Sequence, residues 1–204
     1  MMPDEIETML RQAAKVDVTD AADAALRGAI RAADRAGVVD VTVATMDSPF
    51  GEILLAVTRR GLVRVAFQWH EHGDVVEDLT ERLSPRLVES PERLDDLRRQ
   101  FDDYFEGRRR KIDVRVDYSL AHGFRRQAMQ AARRIPVGHT ETYGEVAERV
   151  GHPRAARAVG TAMAQNPVAI VVPCHRVVPA GGGVGSYGGG PAMKQALLEM
   201  EGAL

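Results

Sequence analysis

Between Phe124 and Pro167, prolines and glycines divide the chain into segments that have room only for short helices. Phe124, Ala128, Ala131, Ala132 and Ile135 fall on one helical face. Pro136 ends that segment, because proline has no N–H to extend the ladder, and Gly138 opens a turn. Thr142-Tyr143-Gly144-Glu145 has the form of a capping box, in which hydroxyl and carboxylate each satisfy a backbone donor left over by the first helical turn. The helix it starts carries Tyr143, Val146, Ala147 and Val150 on one face and stops at Gly151. Pro153 suits the first position of another helix, which is expected to run to about Asn166-Pro167. Two helices joined by a short glycine-containing turn make a helix-turn-helix pattern.

In the second of these helices Ala156, Val159, Gly160 and Met163 recur at i, i+3, i+4 and i+7 and are expected to face the core. Arg154, Arg157, Thr161 and Ala164 are left on the opposite side. From Gly123 to Gln165 seven arginines stand against three glutamates, although the whole chain has a formal net charge of −2. A local excess of this kind suits a nucleic-acid face better than the whole-chain charge suggests. The plainer alternative is a solvated helix surface.

The rest of the chain reads as an ordinary globular body. It is 27% charged and 45% hydrophobic over 204 residues, enough for one large or two small domains. Residues 1–36 look like an Ala-rich helical leader, with six acids against two bases from Met1 to Ala24. No apolar run follows the acidic N-terminus, so neither a signal peptide nor a membrane anchor is expected. Residues 38–118 read as a small α/β unit. Val41, Val43 and Thr45 alternate as in a half-buried strand, and Ser48-Pro49-Phe50-Gly51 is a turn. Glu52–Val57 and Leu62–Phe67 form a hairpin across Thr58-Arg59-Arg60-Gly61. Leu94, Leu97, Phe101, Tyr104 and Phe105 share a helical face, and Ile112, Val114, Val116 and Tyr118 suggest a further strand. His70 and His72 are two potential metal ligands, too few for a good site, and are read as a surface loop.

Cys174 is the only cysteine, which excludes an intrachain disulfide and a multi-cysteine zinc site, and a lone thiol suits a reducing compartment. Val168–Val172 reads as a buried strand ending in Pro173-Cys174-His175-Arg176. A free thiol is only about 3% ionised at neutral pH, so a nearby base raises its reactivity. His175 is the adjacent candidate. Neighbours on a strand point to opposite faces, so the backbone must turn at Pro173 for both to address one pocket. Met193, Ala196, Leu197 and Met200 mark a last helix, and Glu201 stands near its apolar face, able to orient the imidazole. The glycine-rich run from Gly181 to Gly190 permits close backbone approach to a flat ligand, with Tyr187 as a wall.

Pro173-Cys174-His175-Arg176-Val177 resembles the active-site signature of the O6-alkylguanine-DNA alkyltransferases, the methylated-DNA–protein-cysteine methyltransferases. Ile135-Pro136-Val137-Gly138, Thr142-Tyr143-Gly144-Glu145-Val146-Ala147, Arg157-Ala158-Val159-Gly160, Asn166-Pro167, Tyr187-Gly188-Gly189 and Lys194 stand in that family's order and spacing. The close resemblance covers about Phe124 to Gly202, and Ser48–Gly51 with the following hairpin is similar more loosely. It implies an α/β protein. Residues 1–37, read from their composition as a helical extension, have no placed counterpart in the family. A small N-terminal α/β domain with an antiparallel, RNase H-like sheet would span 38–119. A mostly helical, winged-helix-like helix-turn-helix domain would span 120–204.

The resemblance also implies roles. Cys174 would accept the alkyl group from O6 of guanine, and from O4 of thymine, once only. His175 would activate it through a water, with Glu201 orienting His175, and Asn166 would brace the recognition helix against the active-site segment. Arg157 would fill the gap left by a flipped nucleotide, with Arg154, Ala156 and Thr161 beside it on the DNA. Tyr143 would help to rotate the nucleotide out and donate to the base. Val177, Tyr187, Gly188, Lys194 and Met163 would form the guanine pocket. The implied partner is the minor groove of double-stranded DNA carrying O6-alkylguanine, bound by a cytoplasmic monomer with no cofactor and no metal. Extruding a stacked base costs a few kcal/mol, which an inserted arginine offsets in part.

Three positions depart from the family pattern. Gln127-Ala128-Met129 replaces an aromatic, Ala164 and Gln165 stand where several relatives place a basic residue, and Gly188 replaces a serine of some relatives. A lesion sensor that flips bases without chemistry is the alternative reading, but such relatives lack the acceptor cysteine. A Cys/His hydrolase would need an oxyanion hole and gives no reason for the helix-turn-helix.

Overall fold

The computed structural model describes residues 18–204. It divides into two compact units, Met1–Val39 and Asp40–Leu204. In the first, helix α1 spans Val18–Arg35, with Arg35 in its last turn where a cation complements the helix dipole. Most of the expected leader, residues 1–17, lies outside the described residues. Among the described residues no helix is long and apolar enough to cross a membrane.

The second unit is built on a four-stranded sheet of order β3-β2-β1-β4. Strands β1 (Val41–Met46), β2 (Ile53–Thr58) and β3 (Gly61–Phe67) are antiparallel neighbours. The expected hairpin is β2–β3, closed by Thr58 to Gly61. A short fourth strand, β4 (Leu87–Glu89), adds parallel to β1, so the antiparallel sheet gains one parallel edge.

Both faces of the sheet are covered. Ile53 and Leu55 point into one core with Phe101 and Tyr104, while Leu54 and Ala56 point into the other with Val75 and Leu79. The second cover is helix α2 (His72–Arg82), where the sequence suggested a surface loop; His72 begins it, with Nδ1 3.3 Å from Glu52 Oε1. The unbroken apolar run Ile53-Leu54-Leu55-Ala56-Val57 signals this arrangement, because only a strand buried on both faces lacks alternation. Helix α3 (Asp95–Phe105) covers the first face, buries Leu97, Phe101 and Tyr104, and matches the expected helical face.

Residues 112–118 do not form the expected strand. Ile112 and Val116 are buried as their alternation predicts, yet the only ladder contact is the bridge from Val116 to Leu62. Side chains take the neighbouring backbone groups instead. Gln100 Oε1 accepts from the Asp113 N–H at 2.8 Å, and Arg133 Nη2 donates to the Val114 carbonyl at 2.6 Å.

The C-terminal half packs helices α4 (Gly123–Ala132), α5 (Tyr143–Arg149) and α6 (Ala156–Ala164) against one another. The capping box at the start of α5 is present, with Glu145 N–H on Thr142 Oγ1 at 3.1 Å and Thr142 N–H on Glu145 Oε2 at 2.6 Å. Helix α6 begins at Ala156, three residues later than the proline suggested. Pro153 and Arg154 sit in a turn that the Ala155 N–H closes on the His152 carbonyl at 2.8 Å. Arg154 is therefore exposed beside the helix and not on its face. Within α6, Val159, Ala162 and Met163 are buried and Arg157, Thr161 and Ala164 are exposed. Helix α7 (Gly190–Glu201) closes the fold and buries Met193, Lys194, Leu197, Leu198 and Glu201.

At Gly61 the start of β3 passes close to the backbone of the 112–118 segment. The glycine φ is +137°, and a Cβ there would lie 2.0 Å from the Arg115 carbonyl oxygen, the same oxygen that accepts the Leu62 N–H at 2.8 Å. Gly61→Ala is expected to destabilise the protein by about 3 kcal/mol or more, from the unfavourable φ and the displaced hydrogen bond together. Urea unfolding of the two proteins measures it.

Candidate active site

The thiol does not sit at the end of a strand. Residues 168–172 are buried but coiled into a tight loop, with Val172 N–H on the Val168 carbonyl at 2.9 Å and Ile170 at a φ of 72°. Among the described residues one bridge, Val65 to Val168, pairs the loop with the sheet. Pro173 turns the chain into a short 3-10 helix, Cys174–Arg176. That turn gives Cys174 and His175 different directions without the strict reversal of a strand. The chain then pairs as β6 (Val177–Val178), parallel to β5 (Glu141–Thr142), which ties the site to the cap of α5.

Asn166 holds the thiol from one side. Its Nδ2 lies 3.1 Å from Cys174 Sγ and donates to the Val172 carbonyl at 2.8 Å, while its Oδ1 accepts from the Val168 N–H at 3.0 Å. Asn166 stands two residues past Ala164, the last residue of α6, so one side chain joins the second helix of the helix-turn-helix to the nucleophile. Cys174 is 6% exposed. Burial pushes its pKa up, with Asn166 and the charge of Lys194 opposing, so the resting group is the neutral thiol.

His175 is fully buried beside Glu201, Nε2 to Oε1 at 3.2 Å. Glu201 also takes a two-pronged contact from Arg176, Nε to Oε2 at 2.8 Å and Nη2 to Oε1 at 2.7 Å, and a hydrogen bond from Tyr104 Oη at 2.6 Å. Burial alone would raise the Glu201 pKa, but the hydrogen bonds from His175 and Arg176 outweigh it and hold it at about 2. An ionised carboxylate only accepts, so His175 Nε2 carries the proton and Nδ1 carries the lone pair. Nδ1 is buried and has no hydrogen-bond partner among the described residues. Burial lowers the pKa of His175, which keeps the ring neutral and able to accept a proton.

Lys194 is fully buried and donates from Nζ to the Val177 carbonyl at 2.6 Å, with burial lowering its pKa to about 8. Nζ lies 5.9 Å from the centre of the Tyr143 ring. A cavity of about 490 Å³ reaches Cys174 between Tyr143, Gly160, Met163, Tyr187 and Gly188. At Gly160 a Cβ would only touch the Tyr143 ring, at an ordinary 3.9 Å. The Tyr187 hydroxyl is buried with no hydrogen-bond partner among the described residues, and burial, with the charge of Cys174, raises its pKa. Arg157, Thr161 and Arg154 lie outside on the exposed side, and Ala156 is half-buried.

Sequence reading missed Arg176 and Tyr104. A glutamate on the buried face of α7 was the available signal, since a buried charge needs a counter-charge, and Arg176 stands two residues from the thiol.

Fold and site together define a helix-turn-helix protein with a buried thiol at the foot of its second helix. Residues 41–118 match the 6-O-methylguanine DNA methyltransferase ribonuclease-like domain, and residues 123–203 match the DNA-binding domain of the same methyltransferases. A methylated-DNA–protein-cysteine methyltransferase of Methanosarcina acetivorans is 39% identical over 160 residues, 78% of this chain and 97% of the relative. Another, from Mycolicibacterium paratuberculosis, is 39% identical over 157 residues, 77% of this chain and 90% of the relative. The crystal structure of Mycobacterium tuberculosis O6-methylguanine methyltransferase superposes with a TM-score of 0.66 at 36% identity, covering 80% of this chain and 93% of that one. Mycobacterium tuberculosis OGT in complex with DNA superposes with a TM-score of 0.64 at 36% identity, covering 79% and 93%. The chain belongs to the 6-O-methylguanine DNA methyltransferase family.

Because Glu201 is ionised and shared, removing its charge leaves Arg176 buried without a counter-charge. Glu201→Gln is expected to cost about 3 kcal/mol at neutral pH. A depressed carboxyl stabilises the fold above its ordinary pKa, and that contribution fades as pH falls from 4.5 toward about 2. The stability gap between the two proteins should therefore be full at pH 7 and narrow across that acid range, as denaturant titrations at a series of pH values would show.

Proposed function

We propose that Cys174 is the atom-accepting group of a direct DNA repair reaction, and that the residues around it divide the work as follows. The protein transfers the methyl group of O6-methylguanine in DNA to its own cysteine, and each molecule acts once. The observation that carries the assignment is the contact of Asn166 with Cys174 Sγ, which puts the thiol at the end of the recognition helix.

Arg157, exposed on α6, fills the stack when the damaged nucleotide leaves it, and Arg154 and Thr161 meet the backbone of the minor groove. The guanine enters the cavity beside Tyr143, with Met163, Tyr187, Gly188 and Val177 around it. Cys174 Sγ attacks the alkyl carbon, so the S–C bond forms as the C–O6 bond breaks. The thiol proton passes through one water to His175 Nδ1, the lone pair that Glu201 leaves free by holding Nε2. The electron pair departs on O6, and the Tyr143 hydroxyl donates to the leaving base. Lys194 acts indirectly, fixing the Val177 carbonyl and holding positive charge near the sulfur as it loses its proton. A thioether has no second thiol to resolve it, which limits the reaction to one turnover. The residues needed for transfer lie in a single chain, which acts as a monomer in the reducing compartment where a lone thiol persists.

Intact mass after incubation with a duplex containing one O6-methylguanine tests this. One methyl per molecule, mapped to Cys174 and absent from Cys174→Ser, is the expected result. Asn166→Ala should slow transfer by about 10- to 100-fold, the loss of one hydrogen bond to a developing thiolate. Lesion binding with no gain in mass would overturn the reading and leave a sensor.

A further inference from the structure

A second cavity, of about 420 Å³, also reaches Cys174. Besides Cys174 it shares Met163, Ala164, Tyr187 and Gly188 with the first but has a different outer wall. Arg64 on β3, Arg82 at the end of α2 and Arg125 in the first turn of α4 all line it, and no carboxylate does. Trp69 adds a flat apolar surface; it is 42% exposed, stacked on Phe67 at 4.5 Å, and its edge meets Gly189.

The three guanidinium groups are poorly neutralised. Among the described residues Arg125 donates only to neutral acceptors, the Leu120 carbonyl and Gln165 Oε1. Arg82 pairs with Asp78 at 3.3 Å, but both are solvated, where such a pair is worth little. Arg64 is half-buried, and its guanidinium makes no hydrogen bond or ion pair among the described residues. Burial lowers its pKa, the charge of Asp78 opposes this, and Arg82 adds to it. A desolvated cation without an acceptor is costly, and an arriving oxyanion would offset that cost.

The position of the cavity indicates which oxyanion. Its lining includes Ala164, the last residue of α6, and Gln165 just beyond it, both exposed and uncharged. The cavity therefore continues the face that carries Arg157 and Thr161.

We propose that a phosphodiester of the DNA strand beside the lesion binds in this cavity, held by Arg64, Arg82 and Arg125 with Trp69 as an apolar side contact. The assignment rests on DNA being the substrate. It extends the DNA surface from the helix-turn-helix onto β3 and α2, and it supplies cationic charge that the end of α6 lacks.

Binding of the full chain to a lesion-containing duplex, followed across salt concentration, tests the proposal. Each lost phosphate contact lowers the slope of log K against log salt by about one. Arg64→Gln and Arg82→Gln should each do so, Arg64→Lys should restore most of the slope, and Arg60→Gln, outside the cavity, should leave it unchanged. Methyl transfer from the free O6-methylguanine base, which has no phosphate, should keep its wild-type rate in all four variants. That control reports an intact fold and site, and if Arg64→Gln fails it, the exposed Arg82→Gln decides. Unchanged slopes in Arg64→Gln and Arg82→Gln would overturn the proposal. So would variants that keep the slope but slow transfer only from O6-carboxymethylguanine, because the anion would then be the adduct's own. Reduced slopes in a protein that never gains a methyl would instead retain this site and refute the repair reading.

Discussion

The carboxylate of Glu201 is the charge on which the rest of the site depends. It is buried at the end of α7, and four donor atoms meet it: two from Arg176, one from His175 and one from Tyr104. Each comes from a place that would otherwise be independent. Tyr104 belongs to the helix under the sheet, Arg176 and His175 to the turn that presents the thiol, and Arg176 reaches on to the Ile135 carbonyl at 2.6 Å. Burying such a charge is unfavourable in itself. The return is geometric: sheet region, catalytic turn and last helix are aligned by one group, and a single protonation pattern of the imidazole follows from it.

That arrangement explains which parts of the chain could be read in advance. Elements set by local chemistry were legible, among them the hairpin at Gly61, the capping box at Thr142 and the end of α5 at Gly151. Elements set by distant partners were not. Val168–Val172 is apolar enough for a strand, but the turn at Ile170 and the bonds of Asn166 coil it instead. The segment at 112–118 has strand alternation, yet the Asp113 N–H and the Val114 carbonyl go to Gln100 and Arg133, and Leu62 is the one sheet residue that pairs with its backbone among the described residues. Cys174, His175 and Glu201 were visible because reactive residue types are few. Tyr104 was read as core, which it also is, since a helical pattern reports that a tyrosine is buried and says nothing of what its hydroxyl meets.

Recognition and chemistry share parts at the foot of α6. Asn166 follows Gln165, the cap of the recognition helix, and it bonds to the loop before the thiol, to the residue that precedes Pro173 and to the sulfur. The parallel pairing of β5 with β6 links the start of the first helix to the residues after the catalytic turn. The helix that meets DNA and the atom that reacts are thus held by short, direct connections. A shift of the helix would be transmitted to the sulfur within two hydrogen bonds.

The depth of Cys174 bears on a problem outside DNA. A protein that works once is lost by any reaction of its sulfur with a stray electrophile. A solvated, ionised thiol would be consumed by oxidants and by reactive small metabolites long before it met a damaged base. Here the sulfur is recessed and its proton retained, and its base faces away from solvent. Burial of the thiol and of its neighbouring base keeps the resting sulfur a weak nucleophile. Selectivity against the background chemistry of the cell is in this sense a property of packing.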